Sequence, residues 1–175
     1  GGGAEVVMAL PPGAVVERSD AVAADTDRLQ AIVARTDTEA GLPVSVAAQL
    51  RTVRRRALEL VGGQGFVAVS ANGEDVAHAT VYGTSDVAQI DDVATLVDHR
   101  GQGHAKSVVA ACVADARARG AQIVFLTAEA DDWPRHLYAG MGFVTVARTW
   151  VLQREGVVPE PRRAQSSASS RRPPA

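Results

Sequence analysis

Cysteine is almost absent: Cys112 is the only one in 175 residues. No internal disulfide can form, and such sparing use fits a reducing, cytoplasmic setting. No apolar run approaches the roughly 20 residues that a membrane-spanning helix needs. The N-terminus also lacks the basic-then-apolar pattern of a secretory signal. Excess charge is missing too. A net charge of −2 exerts no general pull on nucleic acid or acidic membranes, so neither is expected as a partner. The four histidines, His78, His99, His104 and His136, show no metal-ligand spacing and have no companion cysteine, so no metal site is expected. No repeat recurs at solenoid periods. Residues 159–175 hold no large apolar side chain and are rich in Pro, Ser and Arg, a composition that cannot build a core.

What remains is a globular composition, 46% hydrophobic and 22% charged, in a length suited to one domain. The sequence divides into an N-terminal extension at 1–13, a domain at 14–155 and a disordered tail at 156–175. The start Gly1-Gly2-Gly3, without methionine, suggests a processed, truncated or tagged terminus. Residues 6–10 read either as a short strand or as the remnant of a preceding segment, stopped by Pro11-Pro12. Residues 14–18 are the expected first strand. A helix is expected over 20–35, with Leu29, Ile32 and Val33 on one face. Ser45 can cap a second helix running to about Val61, with Val46, Leu50, Val53, Ala57 and Leu60 as its stripe. Arg51, Arg54, Arg55 and Arg56 lie on or beside its polar side and read as a solvated face. Asn72-Gly73 signals a turn between strands 66–70 and 76–82. Then come a strand at 87–97, a helix at 105–119 and a buried-type strand at 123–127. A short helix at 132–141, opened by Asp131 or Asp132, and a last strand at 143–152 complete the order. Strand 87–97, helix 105–119 and strand 123–127 make a crossover unit within a mixed sheet, which gives an α/β (α+β mixed sheet) class.

One junction carries chemistry. "VATLVDHRGQGHAKSVV", residues 93–109, passes from an apolar strand through Arg100, Gly101, Gln102, Gly103, His104 and Ala105 into an apolar helix. Glycines there cost stability unless the backbone must approach something closely. At a helix N-terminus that something is usually a phosphate, because free amides converge there with partial positive charge. Arg100 adds a full charge with bidentate reach. Two phosphate-loop patterns fail. Lys106-Ser107 would end a Walker A loop, but the positions that need Gly hold Ala105 and Arg100. A dinucleotide fingerprint needs a third small residue where Lys106 stands.

Arg100-x-x-Gly103-x-Ala105 instead resembles the acetyl-coenzyme A loop of the GNAT N-acetyltransferases. "VATLVDHRGQGHA" resembles that family's motif along its whole length, and "HLYAGMGF", residues 136–143, resembles its Leu-Tyr-x-x-x-Gly-Phe ending. The resemblance covers roughly residues 14–152. It implies a GNAT-type fold, a mostly antiparallel sheet with one splayed parallel strand pair, flanked by helices. It implies transfer of an acetyl group from acetyl-coenzyme A to a primary amine of a small molecule or protein, by direct attack in a ternary complex and without a metal. By the same resemblance Val93, Ala94 and Thr95 form a backbone edge that pairs with the pantetheine arm. An amide near Val93 polarises the thioester carbonyl. Residues 100–105, followed by Lys106, wrap the pyrophosphate, and Tyr138 gives a proton to the leaving thiolate. The family often carries Asn seven residues before that tyrosine. Here Asp131 stands there, able to accept a hydrogen bond but not to donate one as an amide does. Trp133-Pro134 replaces the small residues usual nearby. A homodimer through the last strands is a further family-based expectation.

Amine transfer also needs a base, since an alkylamine of pKa near 10 is neutral in only about one molecule in a thousand at pH 7. Asp91 and Asp92 precede the cofactor edge. Strand alternation sends them to opposite faces, so only one can serve, unless a bulge changes the parity. Asp92 is the preferred base and Glu129 the rival. Asp37, Glu39, Asp91, Asp92, Glu129 and Asp131 together could line an acidic mouth for a cationic amine. A second class of function stays open, a catalytically weak coenzyme A-binding or protein-interaction module of the same fold. Tyr138 and the intact glycine loop favour the enzyme.

Overall fold

The computed structural model describes residues 3–17 and 19–151. Seven strands form one sheet in the order β2-β3-β4-β5-β6-β1-β7. They are β1 (Gly3–Leu10), β2 (Val22–Ala24), β3 (Gln64–Val69), β4 (Asp75–Gly83), β5 (Val87–Thr95), β6 (Ile123–Glu129) and β7 (Val144–Val151). Four helices pack around it: α1 (Thr26–Glu39), α2 (Val44–Val61), α3 (His104–Ala118) and α4 (Pro134–Gly140). Only β5 and β6 run parallel, as a strand–helix–strand crossover through α3 requires; the other neighbours are antiparallel. No helix among the described residues is long and apolar enough to cross a membrane.

Period-two patterning decides which residues face which layer. Ala77, Ala79 and Val81 of β4 join Ile90, Val124 and Leu126 in the larger core, against Val108, Val109, Cys112 and Val113 of α3. Burial pushes the Cys112 thiol pKa up, so it stays an inert packing group. On the other sheet face Val67, Val76 and Leu96 meet Leu29, Ile32 and Val33 of α1. His78, Thr80 and Tyr82 share that second face with Val76, and His78 and Thr80 are buried there at 1% and 5% exposure.

Several expectations need correction. Residues 3–10 are not apart from the sheet. β1 pairs antiparallel with β6 on one side and β7 on the other, and Val6, Met8 and Leu10 are buried. Arg117 secures its end by donating to the carbonyls of Leu10, Pro11, Ala121 and Gln122. Residues 14–17 form no strand, and the edge strand is β2, inside the stretch expected to be helical. Asp25, by accepting from the Arg28 amide, starts α1 at Thr26, so the helix runs to Glu39. Ser45 does not cap α2, whose N-cap is Pro43 without a side-chain bond. The α2 stripe does not face the core either: Val46, Leu50, Val53 and Leu60 are exposed, and Ala47 is the one buried residue on that helix. Its arginines anchor α2 instead, through Asp37 on α1. The short helix begins at Pro134 after Trp133, so neither Asp131 nor Asp132 caps it. Residues 152–175, with the expected tail at 156–175, lie outside the described residues.

The position of β1 yields a stability prediction. Leu10→Ala should cost about 2–5 kcal/mol, the usual result of emptying a filled core site. Denaturant unfolding checks it, and a loss under about 0.5 kcal/mol, as for a surface position, would mean that β1 is only appended.

Candidate active site

β5 and β6 are in register for only three pairs, Val87–Ile123, Ala88–Val124 and Gln89–Phe125. Beyond Gln89, β5 has no partner on the β6 side, while β6 continues against β1 as far as Glu129. A gap therefore opens between the two strands, and Val93, Ala94 and Thr95 border it, half-buried. A 3-10 turn over Val97–His99 then leads into the glycine loop. Gly101 and Gly103 have φ of +75° and +88°, and a Cβ built on either meets nothing within 4 Å. The left-handed backbone favours glycine at both, and the space in front of them is open. Gly103 is the N-cap of α3 and no side chain caps the helix, so its first amides face outward with the positive end of the dipole. Arg100 folds back to donate to the Thr95 carbonyl, and Gln102 donates to that of Asp98.

A cavity of about 790 Å³ lies between the start of α3 and the end of α4. Gly103, Lys106 and Ser107 line one side and Gly140 to Gly142 the other. Sequence reasoning missed its third wall, the segment before β2, where Ser19 and Asp20 both bond Ser107. The hydrogen bond from Ser107 lowers the Asp20 pKa. Two polar atoms near the loop, Thr95 Oγ1 and His104 Nε2, are buried without a hydrogen-bond partner. Groups in that state cost free energy unless something bonds them.

On the opposite sheet face β5 is bulged. Thr80 pairs with Asp91 and His78 with Ala94, so Asp92 and Val93 share the place of one residue. Asp92 has φ +53°, the only positive φ on a non-glycine among the described residues, and strain of this kind collects at functional sites. The bulge undoes the alternation expected for the two aspartates. Asp91 accepts from the Tyr82 hydroxyl at 2.9 Å, and Asp92 Oδ1 meets Arg54 Nη2 at 3.1 Å, so both turn to the face covered by α1 and α2. Burial raises the Asp92 pKa to about 6, against the pull of Arg54. Arg54 also holds the buried Asp37 at 3.0 Å, with Arg51 at 3.4 Å. These two arginines are therefore not a solvated face. Their role was hidden because their partners lie on other elements.

The remaining predicted residues fall apart into groups. Glu129 is exposed, on the same sheet face as Asp91 by alternation, and faces Glu5 across the β1–β6 pair. Asp131 is exposed in the turn before α4. Tyr138 is 6% exposed and packs edge-on against Phe143 at 6.2 Å; burial raises its hydroxyl pKa to about 12. The acidic mouth is smaller than expected, since Asp37 is neutralised by arginines and Glu39 accepts from the Val97 amide. No group of three or more His, Cys, Asp or Glu among the described residues could hold a metal ion.

Asp92 gives a pH prediction. Its folded pKa lies above the usual 3.8, at about 6, so the fold disfavours the ionised form relative to the unfolded chain. That penalty is absent below about pH 4 and complete above about pH 6. The stability of Asp92→Asn relative to the parent should therefore rise between those values. Unfolding at pH 4 and pH 7 checks this, and a constant difference would contradict the burial argument.

Comparison with known proteins agrees with this geometry. The model of the acetyltransferase (GNAT) family matches residues 31–143, well over half of the chain. An acetyltransferase of the GNAT family from Colwellia psychrerythraea superposes with a TM-score of 0.68 at 19% identity, over 85% of this chain and 55% of its own. A tandem GNAT protein from the clavulanic acid biosynthesis pathway gives 0.60 at 22% identity, over 85% and 52%. A functionally unknown conserved protein from Staphylococcus epidermidis gives 0.68 at 18%, over 86% and 60%. The chain thus spans between 52% and 60% of the length of these three structures. A search of curated proteins found no match. With its parted parallel strands and its glycine loop, the chain belongs to the GNAT acetyltransferase family.

Proposed function

We propose that this chain transfers the acetyl group of acetyl-coenzyme A to a primary amine, in a ternary complex. The observation that carries the reading is the gap between β5 and β6, opening beside an uncapped helix start. Unpaired backbone of Val93, Ala94 and Thr95 suits an extended amide-bearing arm laid alongside as an added strand. Gly101, Gly103 and the first amides of α3, with His104 and Ala105, suit a pyrophosphate. Arg100 and Lys106 add charge and Gln102 closes the loop. The unpartnered Thr95 Oγ1 and His104 Nε2 would gain partners from a polar ligand. Asp131 would accept a hydrogen bond at the arm's far side.

Acetyl-coenzyme A supplies a thioester, and the chain's residues manage charge and protons around it. The amide near Val93 donates to the carbonyl oxygen as negative charge gathers there. Asp92, half-buried and with its pKa raised to about 6, is poised to take a proton from an ammonium ion near neutral pH. Glu129, exposed and opposite Glu5, draws cations to the entrance rather than acting as the base. Tyr138 donates to the departing sulfur. Its raised pKa keeps the hydroxyl protonated, as a donor must be.

The test is thiol release from acetyl-coenzyme A across a panel of primary amines. Tyr138→Phe keeps the ring and removes one oxygen. It should lower turnover at least about tenfold, given that general acid catalysis is worth roughly 10²–10⁴ in rate, while acetyl-coenzyme A affinity changes little. Binding of acetyl-coenzyme A with no thiol release from any amine would favour a catalytically weak binding module of the same fold.

A further inference from the structure

Behind Asp92 lies a histidine with no part in the proposed transfer. His78, on β4, is 1% exposed. Its Nε2 is 2.9 Å from Thr36 Oγ1 on α1, and that hydroxyl lies 3.1 Å from the Val33 carbonyl. A hydroxyl has one hydrogen. Given to Nε2, it leaves the imidazole hydrogen on Nδ1; given to Val33, it lets the threonine oxygen accept while Nε2 carries that hydrogen. In the second arrangement Nδ1 is a bare lone pair. It is buried, has no hydrogen-bond partner, and faces Asp92 Oδ2 at 3.9 Å. The Asp92 main-chain carbonyl, the neighbour that would favour a hydrogen on Nδ1, does not reach hydrogen-bonding geometry.

Two acceptors facing each other are held together only by a proton. The charged surroundings decide where it resides. Arg54, from α2, sits on the other carboxylate oxygen, Oδ1, and with burial opposes a positive charge on His78, whose pKa falls to about 4. Asp37 from α1, itself held by Arg51 and Arg54, and Asp91 from β5, which accepts from Tyr82, both favour protonation of Asp92.

We infer that His78 is a positioning residue whose Nδ1, 3.9 Å from Asp92 Oδ2, draws in to accept the proton once Oδ2 carries it, thereby holding the acid form of Asp92 in place. The inference rests on the reading of Asp92 as the base. In the step, an N–H bond of the substrate ammonium breaks and its electron pair stays on nitrogen for attack on the thioester. The proton binds Asp92 Oδ2 and donates to His78 Nδ1, which does not itself become charged. Once product leaves, the proton returns to water through the exposed side of Asp92, whose side chain is 17% accessible. An arrangement that favours the acid form raises its pKa.

The experiment is an NMR titration of the whole chain, following the Asp92 carboxyl carbon and the His78 ring nitrogens, with no acceptor needed. In the parent protein His78 should be the neutral Nε2–H tautomer at pH 7. His78→Gln keeps a group near Thr36 but nothing at the Nδ1 position, and should lower the Asp92 midpoint by about one pH unit, the worth of one hydrogen bond. His78→Asn can place its amide oxygen where Nδ1 was, and should restore most of that shift. An Nδ1–H tautomer in the parent, or an unmoved midpoint in His78→Gln, would overturn the inference, and the tautomer decides even if both variants fail to fold. The base role is judged separately by the pH–rate profile of Asp92→Asn: an acid limb that survives there removes the base and leaves the His78 hydrogen bond to be judged by NMR alone.

Discussion

β5 and β6 stay in register for three residues and then part, and the candidate chemistry depends on that parting. A parallel pair is joined through a helix, so the N-terminus of α3 necessarily comes next to the point where β5 ends. The gap leaves backbone donors and acceptors without ladder partners. The helix start adds unpaired amides of one electrical sign. Glycine at 101 and 103 keeps the space in front of those amides open. None of these features needs a particular side chain, which is why the family pattern in this stretch consists of glycines, small residues and one arginine.

The same strand serves a second purpose through its bulge. One extra residue at Asp92 breaks the β4 pairing register and reverses the parity of the residues after it. The apolar side of β5 remains in the core with Ile90 and Val93, while Asp91 and Asp92 both emerge on the α1–α2 face. There the cluster of Thr36, Asp37, Arg54, His78 and Asp92 ties α1 and α2 to the sheet. This explains how α2 keeps its place with only Ala47 buried: Arg51 and Arg54 reach inward to buried Asp37. Stability and the proposed base role are coupled here, because the burial that raises the Asp92 pKa also makes its ionised form a cost to the fold.

Much of this could be read from the residues. The hairpin around Asn72-Gly73, the glycine loop, α3, β6 and the aromatic ending at Tyr138 and Phe143 all carry local signals, and each lies close to where the sequence places it. The features that escaped such reading depend on distant partners. β1 precedes two prolines, and nothing within residues 3–10 states that β6 and β7 will enclose it. The apolar stripe of α2 obeys helical periodicity yet faces outward, because the arginines beside it find buried partners. His78 sits in an ordinary alternating strand, and its position behind Asp92 comes from register and a bulge that no local pattern announces.

The claim that the parted strands and the glycine loop form the acetyl-coenzyme A site is open to one direct measurement, hydrogen–deuterium exchange of the full chain with and without acetyl-coenzyme A. The account predicts slower exchange at residues 93–95 and 101–106, the freed edge of β5 and the start of α3, and little change in α2 or β7. Binding with protection elsewhere, and none at these amides, would contradict it.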